Sequence, residues 1–102
     1  MSYHVNRRWG DSDDDPSVEQ MREALAELDV EDFEHPDVAL IHDSGWCLSA
    51  FPKGLFIWEN LGGSEPRHMR EVPRKRVLEL WLLLSSGDIA VIDAENWKPG
   101  YG

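Results

Sequence analysis

Three places in this sequence hold side chains that can do chemistry: His42 beside Asp43, the lone Cys47, and Glu59 at the end of an apolar run. A carboxylate next to an imidazole can orient the ring for proton transfer or metal binding. A histidine that closes a strand ahead of a turn aspartate is the simpler reading of His42–Asp43. Cys47 needs a nearby base and an electropositive setting to act as a nucleophile; between Trp46 and Leu48 it reads as a small core residue. Glu59 follows Leu55-Phe56-Ile57-Trp58, so burial would raise its pKa, but a single carboxylate defines no reaction.

The rest of the search is negative. His4, His35 and His68 are scattered rather than set at ligand spacing. Gly62-Gly63 lacks the following helix start and the Lys-Ser/Thr of a phosphate loop, and no serine sits in a nucleophile elbow. One cysteine forms no intramolecular disulfide and no cysteine-based zinc cluster. The expectation is a protein that is not an enzyme and takes no metal or cofactor.

Binding is the better-supported class. The net charge of −10 is carried by the first half: residues 1–45 hold 13 acids and 3 bases, and residues 46–102 hold 7 of each. Such a field repels nucleic acid and anionic membranes and speeds encounter with basic proteins. Five tryptophans add candidate anchors, because an indole offers a large apolar body with one polar handle. The candidate partner-binding residues are Glu19, Glu23, Glu27, Glu31, Asp32 and Phe33, with Trp46 and Trp58 placed either at an interface or in the core. A basic cluster, Arg67, Arg70, Arg74, Lys75 and Arg76, is read as pairing internally with Glu65, Glu71 and the acidic first helix.

The elements that must position these residues follow from periodicity and punctuation. Residues 1–15 read as a flexible acidic N-terminal segment that includes the like-charge run Asp11 to Asp15, with Tyr3 and Val5 alternating like a short edge strand. Residues 16–102 read as a single domain. A helix begins either at an Asp15 cap with Pro16 or at a Ser17–Gln20 capping box. Val18, Met21, Leu25 and Leu28 form its buried stripe, leaving Glu19, Glu23 and Glu27 on the exposed side. Strands are expected at Val38–His42, Trp46–Phe51, Leu55–Glu59 and Arg67–Val72, joined by short turns as an antiparallel meander. A second helix spans Pro73–Ser86 and stops at Gly87, and Asp88–Ala94 alternates like a last strand. The fold class is α+β: a mostly antiparallel sheet of four to five strands with two helices packed on one face.

The stretch from Leu55 onward, LFIWENLGGSEPRHMREVPRKRVLELWLLLSSGDIAVIDAENWKPGY, resembles the immunity proteins of bacterial polymorphic-toxin and contact-dependent systems, most nearly the Imm1 type. The shared features are a meander running into Val72-Pro73, an apolar helix through Leu84, Gly87, and a segment closing near Trp97; the pattern departs at Asp88-Ile89, where Arg-Pro is the family-like pair. The resemblance implies a cytoplasmic protein that neutralises a cognate toxin, often directed at nucleic acid, by covering its active site. Its partner would be a protein with a basic surface, not nucleic acid or membrane. The other reading is a structural or adaptor module, such as a phage or secretion accessory protein, acting through homo-oligomerisation, with a homodimer as its smallest form.

Overall fold

A computed structural model describes residues 2–102. It is α+β, with seven strands in one antiparallel sheet and three α-helices. The strands are β1 (Tyr3–Asn6), β2 (Ser12–Asp14), β3 (Val38–His42), β4 (Trp46–Ala50), β5 (Phe56–Asn60), β6 (Arg67–Met69) and β7 (Lys98–Pro99). The helices are α1 (Val18–Ala26), α2 (Arg74–Ser85) and α3 (Ile89–Asp93). Strand order across the sheet is β2-β1-β3-β4-β5-β6-β7, so a meander from β3 to β6 is extended at both edges.

Register puts the core on one face. Val5 lies opposite Leu40, Leu40 opposite Leu48, and Leu48 opposite Trp58. This row is wholly buried against Met21, Leu25, Val77, Leu80, Trp81 and Ile92 of the three helices. Side chains alternate across a pleated strand, so one residue's slip would turn the whole row to the other face. Trp81 fixes the register from the helix side, its indole N–H donating to the Leu48 carbonyl at 3.1 Å. The opposite face carries smaller or more polar residues, Ala39, Cys47, Ser49, Ile57 and His68. These residues are buried as well, and the Tyr101 hydroxyl donates to Glu59 on this side at 3.0 Å.

Of the two starts offered for α1, the chain uses the capping box. The Gln20 amide donates to Ser17 Oγ and the Ser17 amide to Gln20 Oε1. Val18 falls before the helix reaches the sheet and is 37% exposed, so the buried stripe runs from Met21 instead.

Three expectations need correcting. The segment 1–15, read as a flexible lead, supplies β1 and β2 instead. Val5 is fully buried against Leu40, and Asp15 turns the chain into α1 at φ 44° after its amide bonds the Tyr3 carbonyl. The acid run hid this, because an edge strand exposes enough of its length to tolerate charge. The strand expected at Arg67–Val72 ends at Met69, since Glu71 adopts φ 58° beside Gly54. A Cβ at Gly54 would lie 2.9 Å from Glu71 Cα, so only glycine lets these two backbones approach. Asp88–Ala94 is not a strand. After α2, Gly87 at φ 77° lets the amides of Gly87 and Asp88 reach back to Leu84 and Leu83, the double bond of a Schellman cap. The reversed chain makes one helical turn that buries Ile92, and the sheet gains Lys98–Pro99 as its last strand. No helix among the described residues is long and apolar enough to cross a membrane.

Candidate functional site

The acidic loop between α1 and β3 is organised by Arg8, just after β1. This arginine is only 4% exposed. Its guanidinium donates to four main-chain carbonyls: His35 at 2.6 Å, Asp32 at 2.9 Å, and Glu27 and Val30 through Nη1. No carboxylate pairs with it among the described residues. A buried cation needs its donors satisfied, and the planar fork of arginine suits several fixed acceptors at once. The loop is therefore folded around Arg8, with its acidic side chains left outside.

Neighbouring groups tighten the same arrangement. Arg7 bonds Asp13 at 2.7 Å and Glu27 at 3.1 Å, and Glu27 also accepts the Arg8 amide at 3.2 Å. The Trp9 indole donates to Asp32 at 2.7 Å, and the Arg8 guanidinium lies 5.5 Å from the Trp9 ring centroid. Asp32 Oδ1 takes the amides of Glu34 and His35, closing a tight turn. The Trp9 hydrogen bond, helped by these amides and by His35, holds the Asp32 carboxyl down at about 2.

Beside this loop runs a groove of about 560 Å³. Its apolar wall is Val30, Phe33, Phe51, Pro52 and Leu55, with Leu28 beneath. Phe33 is 87% exposed and stands beside the rest of the groove's apolar wall, so the two make one apolar surface. The rim carries Asp29, Glu31 and Asp32 against Lys53 and Arg74, and Arg74 bridges to Asp29 at 3.1 Å.

The candidate residues from sequence do not form one surface. Glu31, Asp32 and Phe33 come together at the groove. Glu19 and Glu23 are exposed on α1, Glu19 paired with Arg22 at 2.6 Å. Glu27 is turned inward, consumed by Arg7 and the Arg8 amide. Asp32 is likewise engaged by its own loop, so its role is to shape rather than to reach out. Trp58 is fully buried, its N–H on Asp93 at 3.1 Å, and no partner reaches it while the fold holds. Trp46 stacks on it at 4.3 Å and stands four residues along β4 from Ala50 at the groove end, roughly 13 Å away. The register points both tryptophans at the helix side: Trp58 belongs to the buried core, and Trp46 is partly exposed and packs against it. Arg8 was invisible from sequence; the only signal was a pair of arginines between the Tyr3–Val5 alternation and an acid run.

Of the candidates for catalysis, Cys47 and Glu59 lie opposite each other across β4 and β5, Glu59 accepting from the Tyr101 hydroxyl, whereas His42 and Asp43 are turned to separate partners. Asp43 accepts the amide and hydroxyl of Ser2, which hold its pKa below the usual carboxylate range, while His42 Nδ1 bonds the Ser44 hydroxyl at 2.8 Å. Burial pushes the Cys47 thiol up to about 11. The basic cluster pairs internally only in part, and with other acids than expected: Arg67 with Asp93, Arg74 with Asp29, and Arg76 with Glu79 and Glu95. Arg70 and Lys75 are in no ion pair among the described residues.

No protein family matches this chain, and neither a curated protein nor a solved structure does.

Proposed function

We propose that this protein is an immunity-type inhibitor, a binder that covers the basic active-site surface of a cognate toxin domain. One observation carries the reading: an acidic loop is held rigid from beneath by a buried arginine, with an exposed phenylalanine at its centre. Rigid loops lose little entropy on binding, which is where association energy is commonly spent. An aromatic in the middle of a charged rim matches the usual division between an anchor that supplies affinity and charges that steer encounter. The toxin is proposed to act on nucleic acid, since such enzymes present basic clefts that complement a net charge of −10. The resemblance of Leu55–Tyr101 to immunity proteins points the same way.

In this arrangement Phe33 enters an apolar recess of the toxin, and an apolar side chain of the toxin enters the groove beside it. Glu31 and the exposed acids of α1 face lysines and arginines that would otherwise hold substrate phosphates. The test is calorimetric titration of the purified chain against toxin-like products of neighbouring genes, together with co-expression in cells. Tight binding with rescue of growth is expected, and both lost in Phe33→Ala. Binding by none of these products, with no rescue, ends the proposal.

A further inference from the structure

At the far edge of the sheet from β2, a depression of about 440 Å³ is lined by His68, Arg70, Asn96 and Lys98 over Met69. The register explains why these groups meet. His68 lies opposite Lys98 across the β6–β7 ladder, Arg70 follows His68 by two residues, and Asn96 precedes Lys98 by two. Arg70 is the first residue past β6 and Asn96 lies two residues ahead of β7, so the paired strand ends carry both to the same edge of the sheet.

Their charges are unspent. Among the described residues no lysine is in an ion pair, whereas five of the seven arginines are, so an arginine without an acid partner is the exception to explain. Arg7, Arg22, Arg67, Arg74 and Arg76 are in ion pairs and Arg8 is caged by carbonyls. Among the described residues Arg70 is the one arginine with neither, and Lys98 beside it is also unpaired. Asp93 and Glu95, on the segment leading into β7, are already held by Arg67 and Arg76, and Glu71, next to Arg70 in sequence, forms no ion pair with it.

We infer that this depression is a binding site for a small phosphorylated ligand. A guanidinium grips two oxygens of a phosphoryl group at once, an ammonium supplies a point charge, and an Asn amide adds neutral donors. Donors from three separate positions exceed what the two oxygens of a carboxylate use, and they suit the three oxygens of a phosphomonoester. The overall negative charge keeps out a long polyanion, whereas screening over about 8 Å lets a small anion respond chiefly to the local cations. None of the lining residues borders the groove of the acidic loop, so this site and the proposed inhibitor surface stand or fall separately.

The test is a titration of the full chain with inorganic phosphate at constant, physiological ionic strength, followed by the side-chain NMR signals of Arg70 and Asn96. Saturable shifts are expected, with affinity lowered about tenfold in Arg70→Gln and in Lys98→Met. Arg70→Lys, which keeps the charge but loses the fork, falls between. Arg70 and Lys98 are exposed, and circular dichroism checks that each variant keeps the fold. Lys75→Met, which removes an unpaired cation elsewhere, leaves binding unchanged. Linear, non-saturating drift, or an equal loss in Lys75→Met, overturns the site. Acetate binding as tightly as phosphate overturns the phosphoryl assignment, and a short oligonucleotide binding more tightly than phosphate overturns the small ligand.

Discussion

Arg8 and Asp32 meet through a carbonyl rather than through their charges: the buried guanidinium donates to the Asp32 main-chain oxygen at 2.9 Å, while the Asp32 carboxylate is taken by the Trp9 indole at 2.7 Å. The cation therefore fixes the path of the backbone without neutralising the loop's acidic side chains. An ordinary ion pair would have held the loop and removed one of the charges that give it its field.

Replacing Arg8 tests that division. Arg8→Met leaves four carbonyls without their donor and is expected to cost about 2–4 kcal/mol, as hydrogen bonds to a charged group are lost. Arg8→Lys keeps the charge but cannot span the same acceptors, and should recover less than half of that loss. Urea denaturation reads both. A lysine variant as stable as the parent would show that charge, not the fork, matters.

The Asp32 carboxyl gives a pH window. Its pKa in the folded loop is lowered from 3.8 to about 2, so the folded state favours the ionised form. The stability this contributes is complete above the unfolded value near 4 and is lost as pH falls through about 2. Loop amide exchange and the Trp9 indole signal should change together across that interval. Asp32→Asn should remove this step; an unaltered acid transition would assign the step to another group.

Phe33 separates binding from folding. At 87% exposure its loss should change stability by less than about 0.5 kcal/mol, while lowering partner affinity more than tenfold, as expected of an aromatic anchor. Trp58→Ala is the opposite case: a fully buried indole whose removal should cost about 3–5 kcal/mol. Thermal unfolding beside calorimetric titration distinguishes the two kinds of residue.

Cys47 is 4% exposed and its thiol sits at about 11. At neutral pH it should resist thiol reagents until the chain unfolds. Labelling at a rate set by the free thiol would mean that β4 opens far more often than a central strand should.

How much of this was legible depended on the range of the cause. The capping box at Ser17–Gln20, the meander from Val38 and the stop at Gly87 are all written in neighbouring residues. Asp88–Ala94 misled because five apolar or small residues fit an alternating strand and a single helical turn alike. The Schellman cap and the pull of Ile92 into the core decided between them. Of the proposed binding residues, Glu31 and Phe33 lie free at the groove because they sit on a loop. Glu27, Asp32 and Trp58 were drawn inward by partners no local pattern names.

By itself, the sequence determined the α+β class, the two long helices, the central meander and the confinement of negative charge to the first 45 residues. Those properties depend on periods of two and about four residues and on composition. Only the tertiary structure decided that residues 3–14 would close one edge of the sheet, that Arg8 would be buried under a loop 19 to 27 residues further on, and that Arg70 and Lys98 would be left unpaired together. Each of these rests on hydrogen bonds or register between segments far apart in the chain. Their partners are selected by the packing of the whole core and not by any neighbour in sequence.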